Sequence, residues 1–452
     1  MIKPLQPPTR ERRLNALSAY LGDIESLIAE FDAGVPSTRI RTFSQIAADD
    51  VSAALRVVGE IDGLGVVIHG ARGCAGALAP RVDRPWVVTN LNQRDTILGA
   101  DGALARTLRQ LHRRHRPWAI IIVATPVVAI NNDDIQAVAE ELSDELAIPV
   151  IELRTDGFRS RVAATGIDIA AQAVAALVSP GGERRSNLIN LLALEQGPGL
   201  TSLVAQLAAV GIEVNVLPAG ANQAAFGRAA QAVASVAVFD DEADVLGIDL
   251  ERLHAVPFLH LSPPIGTAAT DRFVSELAAF AGLPEPASSR TGHEVASLAG
   301  RQVVVALPPS QAFAAADLVK SFGGQLAGLS MDWIDALHLG ALKAIAGRHP
   351  ALPVHVAAGQ PFELVNWLGR LKPDLVIGTP ITAAIAARGG IASVAVQSDE
   401  LLGTEGEVRL AKRIERALGN PALARRLAES AQAYHPGWLK RSADWHIKRE
   451  VR

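Results

Sequence analysis

The residues best suited to chemistry lie in one short run, Val66-Val67-Ile68-His69-Gly70-Ala71-Arg72-Gly73-Cys74, which ends on the only cysteine of the 452-residue chain. Apolar β-formers running into His-Gly, with a second glycine directly before the thiol, predict a buried strand that ends in a tight turn, where backbone can approach a bound group closely. A thiolate at that turn can ligate a metal, and a lone cysteine can equally be a small buried hydrophobe. His69 is the only histidine beside another candidate ligand. The pairs Asp133-Asp134 and Asp240-Asp241 fall at expected helix starts or strand ends, and the first reads as an N-cap with a dipole partner rather than an acid–base pair.

Other catalytic signatures are missing. The sequence contains no G-x-x-x-x-G-K-[ST] phosphate loop, no G-x-G-x-x-G after a strand, no H-E-x-x-H, no G-x-S-x-G and no C-x-x-C. A single cysteine excludes an internal disulfide framework and any metal site built by cysteines of this chain alone. With 43 basic and 47 acidic side chains and a net charge of −4, the composition points away from nucleic acid. The basic run His112-Arg113-Arg114-His115-Arg116 reads as the solvated last turn of a helix. The most apolar run, Trp118 to Ile130, is too short for a bilayer and is broken by Pro126, and Met1 to Arg13 lacks the apolar core of a secretory signal, so a cytoplasmic protein with no membrane span is expected. An enzyme of this kind must take its chemistry from a cofactor or a partner subunit.

The elements that would position Cys74 follow from periodicity. Residues 1 to 60 read as helical, with 44 to 58 the clearest amphipathic segment. Strands are then expected at 66–69, 85–90, 118–125 and 149–154, with helices at 102–112, 132–146 and up to 178 between and after them. This β–α alternation argues for a parallel sheet covered on both faces. The pattern restarts after the linker Ser179-Pro180-Gly181-Gly182-Glu183, with strands at 187–194, 214–218, 236–239 and 257–261 and helices at 200–210, 223–234 and 268–281. It restarts again after a Pro- and Ser-rich stretch at 283–289, with strands at 302–307, 353–357, 374–377 and 393–396. The fold class expected is therefore α/β: three Rossmann-like doubly wound parallel-sheet domains, over 1–180, 181–287 and 288–452, the last carrying a helical C-terminal tail. Clefts at the carboxyl ends of such strands, and between domains, are where ligands bind.

Four segments in order resemble the nitrogenase component 1 superfamily, that is, the α and β chains of nitrogenase, their cofactor-scaffold relatives and the dark-operative tetrapyrrole reductases. His69-Gly70-Ala71-Arg72-Gly73-Cys74 is similar to the family's H-G-x-x-G-C. Thr89 to Ala100 resembles its T-x-L-x-E-x-D-x-x-x-G-G, Asn132-Asp133-Asp134-Ile135 its G-D-D-I, and Asp156-Gly157-Phe158-Arg159-Ser160 with Thr165-Gly166-x-Asp168 its F-x-G-S and T-G-x-D. A weaker echo covers 256–266 and 269–273. The chain departs from the family's catalytic members at two further cluster positions: Thr125-Pro126-Val127 stands where a second cysteine would lie, and no thiol stands near Asp49, where a third would.

A 4Fe–4S cubane needs four protein ligands, usually thiolates. The resemblance therefore implies a β-type chain that gives Cys74 to a 4Fe–4S cluster shared with a homologous α-type subunit in an α2β2 heterotetramer. Electrons would come from an ATP-dependent iron protein, with any further metal cofactor in the partner. Gly70 and Gly73 would turn backbone amides toward the cluster, with Ser160 and Thr165 lining the same region. The function implied is a reductase subunit; a scaffold subunit for metal-cofactor assembly and a metal-free binding protein on the same fold are the alternatives.

Overall fold

The computed structural model describes residues 12–34, 36–37, 39–41, 48–76, 85–286, 298–430 and 434–449. The start of the amphipathic segment at 44–47, the end of the second linker at 287–289 and residues 1–11 lie outside the described residues.

Three sheets carry the chain. The first has the order Trp86–Val88, Leu64–His69, Ala119–Ala124, Val150–Leu153, all parallel. Every residue of Leu64–His69 and Ala119–Ala124 is buried, as expected for central parallel strands covered by helices on both faces. The second sheet has the order Phe258–Leu259, Ala232–Ala237, Arg185–Ala193, Glu213–Pro218, again all parallel. The third has Pro353–Ala357, Gln325–Met331, Gln302–Ala306, Leu375–Gly378 and Ala392–Ala395 in parallel, the doubly wound order with Gln302–Ala306 at its centre.

Several elements depart from the sequence reading. Ala19–Asp23, expected to be helical, is a strand that adds antiparallel to the Pro353–Ala357 edge of the third sheet. The helix expected over 223–234 ends at Ala229, because Ala232–Ala237 is one of the two central strands of the second sheet; small apolar residues suit either state and burial decides. Gln325–Met331 is a strand that periodicity missed. The helical tail, Gly403–Gly419, Pro421–Ser430 and Pro436–Leu439, closes on a short strand, Ile447–Arg449, paired antiparallel with Arg39–Arg41.

The units are joined by buried charge. Arg13, almost fully buried, donates from Nε and Nη2 to Asp168 at 2.7 and 2.8 Å and from Nη1 to Asp335 at 2.6 Å. Its guanidinium also lies 4.5 Å over the Trp333 ring. A second link is reciprocal. The carboxylate of Asp399, after the third sheet, accepts from the N–H groups of Gly199 (2.9 Å) and Leu200 (2.6 Å) at the start of helix Pro198–Ala209, which follows the first strand of the second sheet. Asp241, from helix Asp240–His254 of the second unit, accepts at 2.9 Å from Ser310 N–H at the start of helix Pro309–Ser321, which follows the first strand of the third sheet.

Candidate functional site

In the first sheet the chain moves one way from Leu64–His69 to Trp86–Val88 and the other way from Ala119–Ala124 to Val150–Leu153. The crevice where the strand order reverses lies at the carboxyl ends of Leu64–His69 and Ala119–Ala124, the usual ligand position in open α/β sheets. Gly70, Cys74 and Thr125 follow those two strand ends.

Gly70 is wedged between two threonines. A Cβ at this position would overlap Thr125 Oγ1, so the residue type follows from close approach. Its N–H donates to Thr89 Oγ1 at 2.9 Å, which directs this amide into the protein. Thr125 Oγ1 donates to the His69 carbonyl at 2.7 Å. Gly73 differs: a Cβ there would meet nothing within 4 Å among the described residues. Cys74 lies in the short helix Arg72–Gly76, its N–H donating to the Ala71 carbonyl at 3.0 Å, and its thiol is free and partly exposed.

His69 is fully buried. Its Nδ1 is 3.1 Å from Thr89 Oγ1, the hydroxyl that also accepts from Gly70 N–H and lies 3.1 Å from the Gly70 carbonyl. One assignment satisfies all three contacts: the hydroxyl donates to the Gly70 carbonyl and Nδ1–H donates to the hydroxyl. The Nε2 lone pair then faces Asp133 Oδ2 at 3.7 Å, and among the described residues neither atom has a hydrogen-bond partner. Burial drives the His69 pKa down to about 4, so the ring is neutral near pH 7. Burial, with Asp101 adding repulsion, raises that of Asp133.

The structure gathers three places that are far apart in sequence. Pro126 opens the helix Pro126–Asn131, an element absent from the sequence reading. A Cβ on Gly157, whose φ is +77°, would come 2.9 Å from Pro126 Cγ and 3.3 Å from Asp49 Oδ2. Asp49, Pro126 and Gly157 are thus neighbours, and the first two mark where the resemblance places the further cluster thiols of other family chains. Ser160 and Gly157 are held by Asp50: Gly157 N–H donates to Oδ1 at 2.7 Å and Ser160 Oγ to Oδ2 at 2.6 Å. Asp156 Oδ1 accepts from the N–H groups of Phe158 (3.0 Å) and Arg159 (2.8 Å), which closes the turn. Thr165 is buried in the first turn of Ala164–Ala176. Gly166 brings that helix against the Asp50 carbonyl, leaving no room for a Cβ, and Asp168 holds Arg13.

A cleft of about 570 Å³ opens at the carboxyl edge of Ala119–Ala124 and Val150–Leu153, lined by Asp133, Asp134, Glu152, Arg154, Asp156 and Arg159 among others. The N-cap of Ile135–Leu146 is Asp134, which accepts from Ala137 N–H at 3.2 Å, and this leaves Asp133 to face His69. Sequence reading missed Thr89 and Asp50 as positioning residues and the approach of Asp133 to His69; an ordinary Asp-Asp helix start gives no signal for it. Among the described residues no three His, Cys, Asp or Glu side chains gather in a metal-binding group, and no helix is long and apolar enough to cross a membrane.

Comparison with known proteins places this geometry in a family. The chain is similar to the B component of the light-independent protochlorophyllide reductase of Methylobacterium sp. strain 4-46, with 29% identity over 75% of this chain and 71% of that protein. The corresponding component from Heliobacterium modesticaldum is 26% identical over 77% of this chain and 71% of that protein. Two solved structures share the fold: nitrogenase Cp1 at pH 6.5, at TM-score 0.71 and 17% identity over 88% of this chain and 97% of that one, and nitrogenase Cp1 at pH 5, at TM-score 0.68 and 16% identity over 93% and 97%. The profile of the nitrogenase component 1 type oxidoreductases matches residues 51–418, and the chain belongs to that family, with β-type subunits among its relatives.

Proposed function

We propose that this chain is the β-type subunit of a nitrogenase-like reductase and that Cys74 is its ligand to a 4Fe–4S cluster shared with an α-type partner. The observation that carries the reading is the fate of three equivalent loops. In the second and third sheets the loop after the first strand is filled by an aspartate from the neighbouring unit, Asp399 or Asp241. In the first sheet that loop holds the chain's only thiol, free and partly exposed.

The donor set fits one corner of a cubane. A single thiolate, with no group of three or more potential ligands around it among the described residues, requires that the remaining ligands come from a partner. The exposed apolar side chains Ile97, Leu98 and Ile130 of helices Gln93–Leu98 and Pro126–Asn131 belong to the first unit as well, and exposed apolar groups of this kind suit a surface covered by another chain. When bound, such a cluster supplies one-electron transfer between an ATP-dependent iron protein and a substrate held with the partner. The contribution of this chain is positional: Gly70 and Thr125 fix the loop, Gly73 leaves the approach to Cys74 open, and Asp50 holds the 157–160 turn. Relatives named for protochlorophyllide reduction favour a reductase over a cofactor scaffold, and a tetrapyrrole as the substrate class.

The test is iron and acid-labile sulfide on the anaerobically purified complex with its co-purifying subunit, with an EPR spectrum after reduction. About four irons per heterodimer are expected, lost or altered in Cys74→Ala. An iron-free complex, or full iron retained in Cys74→Ala, overturns the reading.

A further inference from the structure

The buried pair at the end of the first central strand has no role in the function proposed above. His69 Nε2 and Asp133 Oδ2 face each other at 3.7 Å with side-chain exposures of 1% and 7%, and neither makes a hydrogen bond among the described residues. Buried polar atoms are nearly always paired. Two acceptors set against one another lack one component, a proton. Placed on Nε2, it converts two lone pairs into an N–H···O bond and two opposed acceptors into an imidazolium–carboxylate pair.

We propose that His69 and Asp133 form a single-proton acceptor that takes up one proton from solvent when one electron is delivered to the centre held by Cys74. The inference rests on the Cys74 reading. The electron comes from the iron protein, and the proton enters from the cleft that Asp133 lines and binds at His69 Nε2; one negative and one positive charge arrive together, so the buried region keeps its net charge. His69 closes the strand whose following segment carries Cys74, so the added negative charge arises five positions along the chain from a fully buried imidazole, which feels it with less screening than a solvated group would.

The groups facing the pair leave this role open. On the two neighbouring strand ends His69 meets Thr89 and Thr125, which do not titrate in the physiological range. Asp101, at the start of helix Asp101–His115, acts on Asp133 and disfavours a second negative charge. The cations of the cleft lie against other acids, Arg154 by Glu152 at 3.4 Å and Arg159 by Asp156 at 3.9 Å. Burial keeps the ring neutral before the electron arrives, so Nε2 carries no proton in that state and the proton is drawn in by the added negative charge.

The experiment is an EPR-monitored redox titration of the intact complex at several pH values, with iron counted in every sample. For one proton per electron the midpoint potential falls by about 59 mV per pH unit. Wild type is expected to show this slope, and His69→Gln and Asp133→Asn to flatten it with iron content unchanged. Asp133→Asn, at the cleft rim, serves if the buried His69→Gln fails to fold. A loaded wild type whose potential ignores pH overturns the proton uptake and leaves the Cys74 reading intact. A slope that persists in both variants also overturns the proposal, because another group then takes the proton. An iron-free wild type removes the Cys74 reading and the coupling with it.

Discussion

Asp241 Oδ2 accepts a 2.9 Å hydrogen bond from the backbone N–H of Ser310, so a carboxylate of the second unit occupies the helix N-terminus that a phosphate takes in many doubly wound domains. Asp399 does the same in the opposite direction, on Gly199 and Leu200. Each unit caps the other's first helix. The exchange closes both positions to anionic ligands and ties two sheets into one body.

Removing one of these caps should loosen that body. Asp399→Ala leaves two buried N–H groups without an acceptor and is expected to cost about 2 kcal/mol or more. Chemical denaturation of the isolated chain measures it. Asp399→Asn, which keeps one acceptor oxygen, should fall between Ala and wild type, and equal stability of all three would remove the cap from the account.

Arg13 makes a different kind of link, with Asp168 and Asp335 both compensated by one guanidinium. Breaking a buried ion pair from one side strands the other charges, so Arg13→Ala is expected to destabilise by roughly 3 to 5 kcal/mol. Arg13→Lys keeps the charge but loses the two-pronged contact and should lie between. Adding Asp168→Asn to Arg13→Ala should recover part of the loss; additive effects would show that the two side chains are not energetically coupled.

The β–α alternation was legible because central strands such as Ala119–Ala124 are uniformly apolar and helices such as Asp101–His115 end in a basic turn. The position of Cys74 just past a buried strand was legible for the same reason. Ala19–Asp23 was not, since its pairing partner lies more than three hundred residues away at Pro353–Ala357. Nor was Pro126–Asn131, where a proline that reads as a break serves as the first residue of a helix. The site divides in the same way. Glycines and the thiol announce a turn and a candidate ligand, whereas the meeting of His69 with Asp133, of Asp50 with Ser160, or of Arg13 with Asp168 depends on helix and strand packing that local sequence does not encode.

Gly70 offers a sharp test of that packing. A Cβ there would collide with Thr125 Oγ1, so Gly70→Ala is expected to cost about 1 to 3 kcal/mol. Thr125→Ala removes the colliding hydroxyl at the price of its 2.7 Å bond to the His69 carbonyl. In a double-mutant cycle followed by thermal unfolding, the second substitution should therefore cost less in the Gly70→Ala background than in wild type. A coupling energy indistinguishable from zero would mean that the loop relieves the overlap by moving elsewhere.

One carboxylate ties the tail to the third unit beside its strand pairing, and this sets an acid limit on stability. Glu363 accepts from Arg41 Nε at 2.7 Å, from His355 Nε2 at 3.1 Å and from His446 Nε2 at 2.7 Å. Because the carboxylate only accepts, His355 and His446 both donate to it from Nε2, and His355 Nδ1 lies 3.0 Å from Ser330 Oγ. Burial alone would raise the Glu363 pKa, but the bonds from His355 and Arg41 outweigh it and bring the value from 4.5 to about 2. A carboxyl whose folded pKa is depressed adds stability above its unfolded pKa and loses it as pH falls through the folded one. The contribution, on the order of 3 kcal/mol, should thus be complete above about pH 5 and disappear between there and about pH 2. Glu363→Gln cannot titrate. It should be less stable than wild type near neutrality and show a shallower fall in unfolding free energy across that acid window, read by circular dichroism at stepped pH; parallel pH curves for the two proteins would place the acid-labile contact elsewhere.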